Sequence, residues 1–332
     1  MMLPEQQSQG RNSPAESTSH RSSSPLPASQ GRTESTGELG LAFGIAPGSA
    51  TGPRIRRGGV YICFILLAVL CSVLAIFALL LATPSPPGLP LLVVLGISIA
   101  LVAVAWWGLS HLRCYRGTPR RLVAMALWWG ASAGSVLAVF TAADAASEIP
   151  EKLGLPILST AFGGAWPEEI TKALGIWMLL WIGRDWWNRP HHGLLAGVFV
   201  GLGMEVYESS LYALFLGVLH PSSDVVGAAS AYGIRLLFGI GLHAVFSGLV
   251  GYGIGRALWG PRERSRAWRC GQVFGWGFAG FALHFLWNIS WPEPAALFAM
   301  AAVWVAGVAV LATCFYREEK ALRQVEGGFS EP

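Results

Sequence analysis

The feature that most constrains this chain is a series of uninterrupted apolar runs. Each is about 20 residues long, enough for one helix to cross the hydrocarbon core of a bilayer. Eight segments follow one another, at about 58–82, 88–110, 121–147, 156–183, 193–215, 229–257, 270–290 and 294–316. Loops carrying Pro, Gly, Asn or Asp separate them, as in Thr83-Pro84-Ser85-Pro86-Pro87. Lipid offers the backbone no hydrogen-bond partners, so runs of this kind are expected to satisfy their own N–H and C=O groups as helices. The expected fold class is all-α, a polytopic membrane helix bundle of about eight transmembrane helices. Composition agrees: 53% of residues are hydrophobic and 13% charged, where soluble domains carry roughly a quarter charged. The net charge of +4 is spread over short loops, which argues against a nucleic-acid partner. Five cysteines without a C-x-x-C pair indicate neither a disulfide framework nor a zinc cluster.

Residues 1–57 are rich in Ser, Gly and Pro. Such a segment buries too little apolar surface to offset its ordering entropy and is expected to be a disordered cytoplasmic tail. It does not read as a signal peptide, because the first apolar run begins only after it. The bundle is expected over 58–316, and residues 317–332 as a short cytoplasmic tail. Orientation follows from the positive residues, which gather in cytoplasmic loops. One side collects Arg54, Arg56 and Arg57; Arg113, Arg116, Arg120 and Arg121; Arg184 and Arg189; Arg256, Arg262, Arg264, Arg266 and Arg269; and Arg317, Lys320 and Arg323. The other side has only Lys152. Both termini are therefore expected in the cytoplasm.

Several ionisable residues fall inside the apolar runs: Glu168, Glu169, Lys172, Glu205, Glu208, Arg235, His243 and His284. A charge at mid-bilayer costs at least ~2.5–3.5 kcal/mol on insertion scales, so such residues normally face the bundle interior and work there. Counted from the cytoplasmic end at ~1.5 Å per residue, Glu168, Glu169, Glu208, His243 and His284 all come out about 21–23 Å up their helices. Four helices thus bring carboxylates and imidazoles to one level, in the outer half of the membrane. A single polar centre opening outward is expected. Lys172 lies i,i+4 from Glu168 and i,i+3 from Glu169, and the two acids point about 100° apart. One can therefore pair with the lysine while the other faces the centre; Glu169 is taken as the partner and Glu168 as the base on water. His284 and Asn288 share a face. Asn288 is therefore a candidate to donate to a polarised carbonyl or to hold the His284 ring in one tautomer. Arg235 is expected either to snorkel or to answer a glutamate.

Two imidazoles and several carboxylates in a dry pocket suit hydrolysis, with a carboxylate taking a proton from water. The same set could ligate a divalent metal such as Zn²⁺ through Glu208, His243 and His284, leaving one position open. A proton- or cation-coupled transporter is an alternative, because Glu/His chains also serve as proton relays. A haem carrier with two axial histidines is a third, but it leaves the glutamates unexplained.

The run Trp166-Pro167-Glu168-Glu169-Ile170-Thr171-Lys172 resembles the E-E-x-x-K motif of the PrsW family of intramembrane proteases. Gly201-Leu202-Gly203-Met204-Glu205-Val206-Tyr207-Glu208 resembles that family's G-x-G-F-x-x-x-E-N element, His243 to Gly251 its H-x7-G, and His284-Phe285-Leu286-Trp287-Asn288 its H-x-x-W-N. The four occur in order over about 160–290, within a peptidase core at about 156–290. Met204 replaces the usual Phe, Ser209 the usual Asn, and Glu205 is an additional acid. The resemblance implies an endopeptidase in a bacterial cell membrane that cuts a membrane-anchored protein, the family's known substrates being anti-sigma factors. It implies catalytic roles for Glu168, Glu169, Lys172, Glu208, His243, His284 and Asn288.

Overall fold

The computed structural model describes residues 57–83, 88–140 and 144–328. The expected N-terminal tail, apart from Arg57, lies outside the described residues. Ten helices order the described chain: α1 (Arg57–Ala82), α2 (Leu89–Ser110), α3 (Arg120–Ala138), α4 (Asp144–Lys152), α5 (Ser159–Ile182), α6 (Pro190–Gly217), α7 (Asp224–Gly239), α8 (Leu242–Trp259), α9 (Arg266–Asn288) and α10 (Ala295–Gly328). No strand occurs among the described residues. Local chemistry sets several starts. Pro190 opens α6 at a position whose N–H would be unpaired anyway. Ser223 and Ser265 cap α7 and α9 by accepting from the Val226 and Trp268 N–H groups.

The protein is a multi-pass membrane bundle. α1, α2, α3, α6 and α10 are long and apolar enough to span a bilayer, and α7 with α8 would be a sixth if the pair, bent by 45°, is one span. α5 and α9 have the length but are more polar; α5 carries Glu168, Glu169 and Lys172 midway. The outer helices turn large apolar side chains outward, among them Leu66, Leu70 and Phe298. The middle is formed by α6, buried without interruption from His191 to Glu205, and α8, buried from Leu242 to Gly255. Small residues four apart let these two backbones touch, the means by which helices associate in lipid. A methyl group at Gly201 would collide with the carbonyl oxygen of His243 on α8.

Three expected segments are drawn differently. The run 229–257, read as one helix, breaks between Gly239 and Leu242, where Gly241 takes φ +77°, a conformation that favours glycine. The run 121–147 gives α3 and the separate α4, with residues 141–143 outside the described residues. Within α3, Gly130–Gly134 widens into a π-helical stretch. The Gly134 carbonyl, at the end of that stretch, accepts from the Thr171 hydroxyl of α5 at 2.7 Å. The last run does not stop at 316. It continues helically through residues 317–328, a stretch of Glu, Lys, Leu, Arg and Gln with no helix breaker before Gly327. Part of the expected C-terminal tail is thus docked on the bundle: Glu318 accepts from the Tyr252 hydroxyl and Glu319 from the Cys114 N–H.

Candidate functional site

α5 supplies the first charges, and its placement is fixed from α3. Thr171 donates to Gly134, while the buried Trp129 indole donates to the Thr171 carbonyl at 3.1 Å. This orients the next face of α5 inward. There Lys172, with no exposed surface, donates to Glu169 Oε1 at 2.7 Å and stands 3.3 Å from Glu168 Oε2. The expected division is seen: Glu169 is locked to the lysine, and Glu168 lines the cavity.

The other helices close around this pair. His284 of α9 places Nδ1 2.9 Å from Glu169 Oε1 and Nε2 3.8 Å from Glu168 Oε2. His243 of α8 places Nδ1 3.1 Å from Lys172 Nζ and 3.6 Å from Glu168 Oε2. Its Nε2 meets Glu208 Oε2 of α6 at 2.6 Å. The two imidazoles lie 5.3 Å apart, nearly perpendicular, and Phe246 stacks on His284. Arg235 of α7 answers Glu208 at 3.2 Å, and its Nε donates to Ser209, the residue standing where the resembled motif has Asn. Its guanidinium also lies over the Tyr212 ring. Side chains from five helices therefore form one continuous polar chain, Arg235–Glu208–His243–Lys172–Glu169–His284. Glu168 sits in the crook of that chain.

This cluster is the polar floor of a cavity of about 1080 Å³. Its other walls are largely apolar side chains of α1, α3, α7 and α10, such as Phe77, Val136, Phe238 and Met300. Asn288 lines it too and crowds Gly164, where an added methyl group would sit 2.6 Å from Asn288 Nδ2 and 3.6 Å from Glu168 Oε1. The amide thus flanks Glu168 and does not hold the His284 ring. That ring is held by Glu169.

The expected metal set changes by one ligand. Depth placed Glu208 with His243 and His284. In the structure Glu168 is the carboxylate that joins both imidazoles, their nearest donor atoms all within 4.8 Å of one another. Glu208 is instead engaged by Arg235 and His243. The donor chemistry fits a divalent ion. Two imidazoles and one carboxylate leave a fourth position open, and the Glu169–His284 pair is the carboxylate–histidine support common behind such ligands. Glu168 Oε2 is buried and makes no hydrogen bond. One exchange is required: His243 can offer a nitrogen only by giving up Lys172 at Nδ1 or Glu208 at Nε2.

Three contributors escaped the sequence reading. Thr171, Trp129 and Phe246 are uncharged, and only their partners mark them as parts of the site. Residues 118–316 match the family described as PrsW family intramembrane metalloprotease. No curated protein and no solved structure matches the chain.

Proposed function

The chain belongs to the PrsW family of intramembrane metalloproteases, and from that premise we propose that it hydrolyses a peptide bond of a membrane-anchored protein with water activated at Glu168. The supporting observation is the position of Glu168 Oε2, buried without a hydrogen bond and within 3.8 Å of Lys172, His243 and His284. As the water oxygen attacks the scissile carbonyl, Glu168 takes its proton and later passes it to the leaving amine. The Asn288 amide donates to the oxygen on which charge develops. Lys172 and His284 hold Glu169, while Glu208, itself paired to Arg235, holds His243, so the centre is organised before substrate arrives.

A divalent metal, when bound, would be held by Glu168, His243 and His284 and would supply a Lewis acid for carbonyl and water. Glu208, another carboxylate at the cavity wall, would then be the proton acceptor.

The membrane reading counts α5 and α9 as spans alongside the six more apolar ones, giving eight, with both termini cytoplasmic by the positive-residue count. The cavity would then open in the extracytoplasmic half of a bacterial cell membrane. Single-span regulators such as anti-sigma factors are the substrates proposed. The test places the full chain and a single-span reporter in liposomes. Glu168→Ala and His284→Ala are each expected to abolish cleavage, and full activity in either removes the mechanism.

A further inference from the structure

Glu205 is an acid the proposed reaction does not use, and it is buried in the membrane part of the bundle. Its two oxygens accept backbone hydrogen bonds from another helix: Oε1 from the Gly241 N–H at 2.8 Å and Oε2 from the His243 N–H at 3.2 Å. These are donors at the start of α8, where a helix leaves N–H groups without partners. A cap residue normally satisfies them, yet the N-cap of α8 is Gly241, which has no side chain. α6 supplies across the interface what α8 lacks in its own sequence. The carboxyl group also lies at the positive end of the α8 dipole.

The consequence falls on His243, the second residue of α8. Gly201, Glu205 and Glu208 lie at i, i+4 and i+7, along one face of α6. Gly201 abuts the His243 carbonyl, Glu205 holds its N–H, and Glu208 holds ring Nε2. Backbone and ring of one residue are thus gripped by one helix face. We propose that Glu205 is a positioning residue for hydrolysis: by capping α8 from α6 it fixes where His243 presents its ring. The inference rests on the reading of His243 as part of the hydrolytic centre.

The test uses the full chain in liposomes, labelled with ¹⁵N-histidine. The His243 ring signals are assigned by their disappearance in His243→Gln. Wild type is expected to give one ring state. In Glu205→Ala the His243 signals split or shift, and reporter cleavage falls about 100-fold in kcat with KM little changed, as expected of a group displaced by about 1 Å. Glu205→Gln, whose amide oxygen can still accept one of the two bonds, is expected to recover most of the wild-type signal. Glu205→Asp, one methylene too short to reach, is expected to behave like the alanine variant, and it carries the test if Glu205→Ala does not fold. His243 signals unchanged in Glu205→Asp or Glu205→Ala, with only thermal stability reduced, would make Glu205 a helix cap and nothing more. Should the ring respond as expected while His243→Gln still cleaves the reporter, the hydrolytic reading fails and the positioning of the ring stands.

Discussion

Lys172→Met separates the energetic from the chemical role of the charge cluster. The ammonium is fully buried, 2.7 Å from Glu169 Oε1 and 3.3 Å from Glu168 Oε2. At an effective dielectric of about 20 these attractions amount to about 6 and about 5 kcal/mol. Desolvation of the buried ions offsets much of that. Breaking a buried pair from one side nonetheless costs about 3–5 kcal/mol, because the remaining charge stays behind uncompensated. The two carboxylates are not equivalent in this respect. The Glu168 side chain is 18% exposed where it lines the cavity, whereas the Glu169 side chain is 6% exposed and keeps only His284. The loss is therefore assigned to Glu169. The apparent melting temperature of the detergent-solubilised chain is expected to fall by roughly 10 °C in Lys172→Met, at about 2–4 °C per kcal/mol. The double variant Lys172→Met/Glu169→Gln is expected to recover most of that stability, since a neutral pair replaces the ion pair, but no cleavage. A single variant as stable as wild type would refute the argument, because Lys172 could not then be dry and paired.

Gly201→Ala should force α6 and α8 apart at His243; a displacement of about 1 Å there predicts roughly a 100-fold loss in kcat. Gly233→Ala, which adds a methyl group where nothing lies within 4 Å, is the control expected to leave both cleavage and stability in place. Cys270, exposed near the start of α9, should react with a membrane-impermeant maleimide in inside-out vesicles and not in intact cells. The reverse pattern would overturn the assigned orientation. Cys114 should stay unlabelled at pH 8 in the folded chain, because burial and the neighbouring Glu319 push its thiol well above the ordinary range and keep it protonated. Rapid labelling of Cys114 would show that the end of α10 is not docked there.

Much of the centre was legible because charge in an apolar run has few places to go. The shared depth of Glu168, Glu169, Glu208, His243 and His284 anticipated their convergence, and the i,i+3 and i,i+4 spacings put Lys172 within reach of both Glu169 and Glu168. Depth is a one-dimensional ruler, however. Glu168 and Glu208 stand at nearly the same height, and only the azimuth of each helix decides which carboxylate meets both imidazoles. The break between α7 and α8 was hidden for a different reason. Gly239-Ile240-Gly241-Leu242 continues the apolar pattern without a polar interruption, and the partner that stabilises the break is Glu205, on another helix. Hydropathy likewise ended the last segment at Arg317, although helix propensity carries α10 on to Gly328. The close α6–α8 contact had a signal in the sequence, small residues at every fourth position, which hydropathy alone does not weigh.

The central claim is that Glu168, His243 and His284, carried by three helices, share one centre inside the membrane. Titrating Co²⁺ into the purified full chain tests it directly, because four- or five-coordinate cobalt absorbs visible light far more strongly than the hydrated ion. The account predicts one ion per chain with the intense bands, lost in each of Glu168→Ala, His243→Ala and His284→Ala. Bands that persist in all three variants, or their absence from wild type, would contradict it.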